Sequence, residues 1–151
     1  MSVHLKRVAW WVVLILPLEL IWEIAQFPLY TLWRTGTPLE LAYAAVHCTI
    51  GDGLIAATCF AIIAVVLRDS DWPLRSPWAG GTLSVTAGLL YTAASEWHHI
   101  QAGDWTYAPV MPLLFGIGIA PLLQWLLLPA LNVLAYRRFR PAAWLGLVTR
   151  G

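Results

Sequence analysis

Charged side chains are what this sequence has least of. Lys, Arg, Asp and Glu make up 11% of its 151 residues, against roughly 25% in a soluble domain. With 60% hydrophobic residues and a mean hydropathy of +0.69, that scarcity excludes an ordinary soluble globule. A net charge of +1 leaves no basic footprint for nucleic acid. Strict alternation of apolar and polar positions is missing too, which excludes a transmembrane β-barrel. Cysteine is nearly absent: only Cys48 and Cys59 occur. They fall on one predicted helix, roughly 16 Å apart at 1.5 Å rise per residue. An intrachain disulfide needs Cα atoms within about 7 Å. Thiol oxidation through a Cys-x-x-Cys pair is therefore not expected, and both cysteines read as small core residues.

What the sequence does have is long apolar runs. About 20 apolar residues cross a bilayer as a helix. Four runs are read, at about 8–30, 41–67, 78–100 and 111–136, followed by a short tail over 137–151 with Trp144 as an interfacial anchor. Turn and breaker residues separate them: Thr35-Gly36-Thr37-Pro38, Asp69 through Pro77, and Ala102-Gly103-Asp104 with Pro109. The expectation is an all-α polytopic membrane protein, one domain over 1–151, built as a four-transmembrane-helix bundle. Lys6 and Arg7 precede the first run as they would in a signal peptide. That run continues past Pro17 to Tyr30 without an Ala-x-Ala site, so a retained first helix is expected.

Four crossings put both termini on one side of the membrane. That side would hold Lys6, Arg7, Arg68, Arg75, Arg137, Arg138, Arg140 and Arg150, and the other only Arg34. The positive-inside bias makes both termini cytoplasmic, with a bacterial inner membrane as the expected location. Trp10, Trp11, Trp72, Trp78 and Tyr136 are expected at the inner interface. Tyr30, Trp33, Tyr43, Trp105 and Tyr107 are expected at the outer one.

Within these runs stand Glu19, Glu23, His47, Asp52, Glu96, His98 and His99. Ionisable groups in hydrocarbon are costly and mark sites by default. Glu19, Glu23, Gln26 and Tyr30 are spaced i, i+4, i+7, i+11 and form one polar stripe on the first helix. In the expected topology these groups fall in the outer half, which predicts a polar cavity opening outward. Glu23, Glu96, His47 and Asp52 are the candidate catalytic groups. Gln26, Asp104, Trp105 and Tyr107 are candidate cavity or lid residues. Gln124, Thr92 and Ser95 read as interhelical hydrogen-bonding glue. Gly51, Gly53, Gly116 and Gly118 read as points of close helix approach, and Glu19 and Glu40 as groups that snorkel or pair harmlessly.

Several chemistries could use these groups. Glu96 and His99 make a Glu-x-x-His step on one helix face. A full di-iron bundle needs a second such step, so the metal reading is a single Zn, Fe or Mn held by His47, Glu96 and His99. A haem b clamped between His47 and His98 or His99 ranks below it. Metal-free acid–base chemistry would use Glu23, Glu96 and His47 on a sterol, isoprenoid or quinone, with Trp22, Trp97, Trp105 and Tyr91 lining the slot. That idea resembles small intramembrane isomerases of the emopamil-binding type, without a shared motif. Size and helix count are similar to small multidrug-resistance transporters, but those function as antiparallel dimers, and the loop charge here fixes one orientation. A non-catalytic membrane subunit would explain a polar network but not its gathering in one leaflet. The expected partners are the lipid bilayer and a lipid-soluble small molecule, not nucleic acid; oligomeric state is left open.

The segment from Glu96-Trp97 to Trp105-Thr106-Tyr107, with Met111-Pro112, Pro121-Leu122-Leu123-Gln124-Trp125 and His47-Cys48-Thr49-Ile50-Gly51-Asp52, resembles small bacterial four-helix membrane proteins of no assigned function. The resemblance implies the membrane fold and no activity.

Overall fold

The structure, a computed structural model, describes residues 3–139. Helix α1 covers Val3–Gln26 and ends where Pro28 disfavours further helical backbone; a 3-10 turn, Phe27–Leu29, follows. A short α2, Leu32–Thr35, leads to α3, Pro38–Val66. Helix α3 starts on a capping box. The Thr37 side chain accepts from the Glu40 N–H, and the Glu40 carboxylate accepts from the Thr37 N–H at 2.7 Å. Glu40 is thus committed to a helix terminus. A one-turn α4, Trp72–Arg75, precedes α5, Pro77–Ala102, which is closed by Gly103 in the left-handed conformation at φ 78°.

The last helix departs from expectation. The run from Met111 does not begin as helix. Strands β1, Leu113–Leu114, and β2, Ile117–Gly118, pair antiparallel with Leu114 opposite Ile117. Phe115 and Gly116 turn between them at φ 52° and 83°, the paired positive values of a tight hairpin. Only then does α6 run, Ile119–Phe139. Gly116 therefore serves a turn, not a helix contact. The expected tail lies outside the described residues from 140 onward.

Helices α1, α3, α5 and α6 pack together; α1 touches α3 and α6, and α5 touches α6 and α3. Among the described residues three segments are long and apolar enough to cross a membrane: Val3–Leu29, Pro38–Val66 and Ile119–Phe139. Helix α5 has the length, but Thr82, Ser84, Thr86, Thr92, Ser95, Glu96, His98 and His99 make it more polar than these.

Each long helix buries one stripe, and the chemistry of that stripe changes along its length. On α1 it reads Trp11, Ile15, Glu19, Glu23, Gln26, apolar and then polar. On α5 it reads Gly80, Ser84, Gly88, Thr92, Glu96, small and then polar. The bundle accordingly divides in two. At the end holding the first residue of α1 and the last of α6, Trp11, Phe60, Trp72 and Tyr136 form an aromatic core. The Trp11 ring lies 5.6 Å from Phe60, 5.1 Å from Trp72 and 6.1 Å from Tyr136. Trp11, Trp72 and Tyr136, expected at the interface, are buried here. Trp78 is exposed as expected.

Small residues of α5 admit one of these rings, Trp72, and the ring of Trp125. A Cβ on Gly80 would lie 2.0 Å from Trp72 Cε3, and one on Gly88 would lie 2.0 Å from Trp125 Cε3. Gly53 lets α3 approach Leu16 of α1, while nothing lies within 4 Å of a Cβ on Gly51, so Gly51 is not a packing notch. Overpacking a buried site costs about 1–3 kcal/mol or more. Gly88→Val should lower the unfolding free energy in detergent by at least about 2 kcal/mol. Gly51→Ala should change it by about 0.5 kcal/mol or less, or raise it. Equal effects in a thermal or denaturant titration would contradict this assignment of the notch.

Candidate functional site

At the opposite end of the bundle the helices part around a cavity of about 700 Å³. Its walls are the first half of α3 (Tyr43, His47, Cys48, Asp52) and the second half of α5 (Tyr91, Thr92, Ser95, Glu96, His99). Helices α1 and α6 contribute Glu23, Gln26, Gln124 and Trp125, and the two connecting loops contribute Tyr30, Asp104 and Trp105. Tyr43, His47 and Tyr91 are exposed on the outer surface of the bundle. The cavity is therefore reached from the side, between α3 and α5.

On the inner wall a single amide gathers three carboxyls. Gln124 Nε2 on α6 lies 2.7 Å from Glu19 Oε2, 3.0 Å from Glu23 Oε1 and 3.0 Å from Asp52 Oδ2. Glu23 Oε1 also accepts from Gln26 Nε2 at 2.9 Å. Glu23 and Asp52 thus share one amide nitrogen. A carboxamide nitrogen carries two hydrogens, so it serves two of the three oxygens at once. At least one of the three carboxyl oxygens is left without a hydrogen from this amide.

Glu96 sits in a different setting. Its Oε2 accepts the hydroxyl proton of Tyr107, and that hydroxyl oxygen accepts the Gly118 N–H at 2.8 Å. A Cβ on Gly118 would lie 3.0 Å from the Tyr107 ring, so the glycine seats the tyrosine. The Tyr107 loop is tied to the segment that follows α1. Thr31 N–H donates to Thr106 O at 3.0 Å and Ala108 N–H to Leu29 O at 2.9 Å, and the Tyr30 and Tyr107 rings lie 5.5 Å apart. The His99 ring stacks 4.4 Å from Trp105, and its Nδ1 lies 2.6 Å from Asp104 Oδ2. Of the expected lid residues, Asp104 and Trp105 line the cavity and contact His99, and Tyr107 holds Glu96.

The expected metal set is not assembled. Among the described residues no three His, Cys, Asp or Glu side chains are grouped to hold a metal ion. His47 is exposed and stacks on Tyr43 at 5.4 Å, Glu96 is engaged by Tyr107, and His99 turns to Asp104. His98 is exposed on α5 and does not line the cavity. Trp97 is exposed too, and neither it nor Trp22 lines the slot; Trp125 and Phe27 do instead. Cys59 is buried away from the cavity, whereas Cys48 lines it.

Two groups were undervalued by sequence reasoning. Glu19 is fully buried in the carboxyl cluster, and Gln124 is its hub. The signal for Glu19 was its place on the same stripe as Glu23; Gln124 carried no local signal. No protein family, curated protein or solved structure matches the chain.

Burial first, and then the hydrogen bond to Glu96, hold the Tyr107 hydroxyl proton above the ordinary tyrosine range. The folded chain keeps this proton at a pH where the unfolded chain, with tyrosine near 10, releases it. The contribution is thus present below about pH 10 and is lost as pH rises beyond it. A series of thermal midpoints across that window should fall with pH in the wild type and fall less steeply in Tyr107→Phe. Identical slopes would contradict the placement of this hydroxyl.

Proposed function

We propose that this chain spans the bacterial inner membrane four times with both termini cytoplasmic, and that its cavity performs acid–base chemistry on a lipid-soluble substrate. Helix α5 serves as the fourth crossing. Its polar face turns inward onto the cavity, and Leu83, Leu90 and Trp97 are exposed on its outer side. The loop charge gives the orientation, with the cavity toward the outer leaflet.

One observation carries the reading: two carboxyl centres in contrasting hydrogen-bond settings face one aromatic-lined cavity. Three carboxyls share the one Gln124 amide, whereas Glu96 has the Tyr107 hydroxyl to itself. Contrasting environments separate acid from base. In this scheme the Glu23–Asp52 pair delivers a proton to one carbon of a substrate double bond. The Glu96 carboxylate removes a proton from the adjacent allylic position, and the double bond moves by one place. Protons balance and no oxidant or reductant is consumed. Tyr91, Trp105 and Trp125 supply aromatic faces to the cationic intermediate. Asp52 anchors the proton store, Gln26 orients Glu23, and His47 stands at the side entrance.

Proton-coupled transport is less well supported. Below the carboxyl cluster the bundle is filled by Trp11, Ile15, Phe60 and Tyr136. A path to the far side would have to pass through that packing.

The test is solvent isotope incorporation. Protein in vesicles is incubated in D2O with a panel of sterols, isoprenoids and quinones, and each lipid is analysed by mass spectrometry. One lipid class should gain carbon-bound deuterium. Glu96→Gln should reduce the rate by about 10²-fold or more while folded yield is preserved. Incorporation into no lipid, or an unchanged rate in Glu96→Gln, would contradict the proposal.

A further inference from the structure

The other end of the bundle carries a second recess, of about 470 Å³, between the start of α1, the last turns of α3 and the α3–α5 connection. Its lining combines two chemistries. One wall is apolar, with Val8, Ala61, Ala64 and Val65; the rim carries Arg7, Arg68 and Arg75. The acidic residues of the recess are already committed. Asp71 takes Arg7 in an ion pair, and Asp69 Oδ1 accepts the Asp71 N–H at 2.7 Å. Arg7 also donates to Ser70 and so locks the connection onto α1.

Arg68 and Arg75 are left over. Both are exposed, and among the described residues neither has an acidic partner. Arg68 is also held at φ 51°, a left-handed conformation that non-glycine residues rarely adopt. That backbone turn lets the chain leave α3 and still keep the Arg68 side chain on the recess. Two uncommitted cations lie above an apolar wall at the end of an apolar segment, and this matches an anion with a hydrocarbon tail. Basic pockets at the cytoplasmic ends of membrane helices bind lipid headgroups in this way.

We propose that this recess binds the phosphate headgroup of an anionic phospholipid, with Arg68 and Arg75 on the phosphate and the acyl chain along Ala61, Ala64 and Val65. The site lies at the opposite end from the carboxyl cavity and does not depend on the reaction proposed there.

The experiment compares thermal midpoints of the full chain in neutral detergent. Additions are phosphatidylglycerol, phosphatidylcholine or inorganic phosphate, and retained lipid is counted by native mass spectrometry. Phosphatidylglycerol should raise the midpoint and remain bound; phosphatidylcholine and inorganic phosphate should do neither. Each arginine removed should weaken retention by roughly fivefold, the ratio that corresponds to about 1 kcal/mol per basic residue at an anionic surface. Arg68→Gln and Arg75→Gln are made singly and together; the single variants keep the test decisive if the double variant fails to fold. Equal effects of the two lipids, or unchanged phosphatidylglycerol retention in the variants, would overturn the proposal. Full protection by inorganic phosphate would reassign the recess to a free anion and overturn it as well.

Discussion

Three carboxyls from two helices meet one amide from a third, and the polar half of this bundle is arranged around that meeting. Gln124 reaches from α6 to Glu19 and Glu23 on α1 and Asp52 on α3. Hydrogen bonds between membrane helices average only about 0.6 kcal/mol, so the amide is a weak glue. Its importance is as a constraint. A buried polar group left without a partner costs about 1–3 kcal/mol, and more if charged. With Gln124 present, α1, α3 and α6 are held in one register, and Glu23 and Asp52 stand at the wall of a cavity with Glu19 buried behind them.

The rest of the bundle makes this tolerable. Half of it is a close-packed aromatic core from Trp11, Phe60, Trp72 and Tyr136, seated where glycines on α5 remove obstruction. That half fixes the helices. The other half opens between α3 and α5, and the loop carrying Tyr107 is bonded to the segment that follows α1.

Much of this was legible in the sequence. Capping and breaker residues delimited α3 and α5 to within a few positions, because Thr37, Pro38, Pro77 and Gly103 act locally. The stripe Glu19, Glu23, Gln26 announced a polar face by its spacing alone. Trp105 and Tyr107 stood out because they follow a strong helix stop. What escaped depended on distant contacts. Gln124 looks like any intramembrane glutamine until α1 and α3 are laid beside it. Trp11, Trp72 and Tyr136 resemble interfacial anchors unless the notch at Gly80 is known to face Trp72. The hairpin at 113–118 was hidden in an apolar run, since only Gly116 marked its turn. The metal set failed for a related reason: spacing put Glu96 and His99 on one face, but Tyr107 and Asp104 claim them first.

The most direct test of this account is a double-mutant cycle between Gln124 and Glu19, read by reversible unfolding in mixed micelles. Gln124→Leu leaves the carboxyls short of a donor and should cost about 1–3 kcal/mol. Adding Glu19→Leu removes the most deeply buried of them and should recover part of that loss, so that the double variant is more stable than Gln124→Leu alone. Strictly additive losses would contradict the view that Gln124 organises the site.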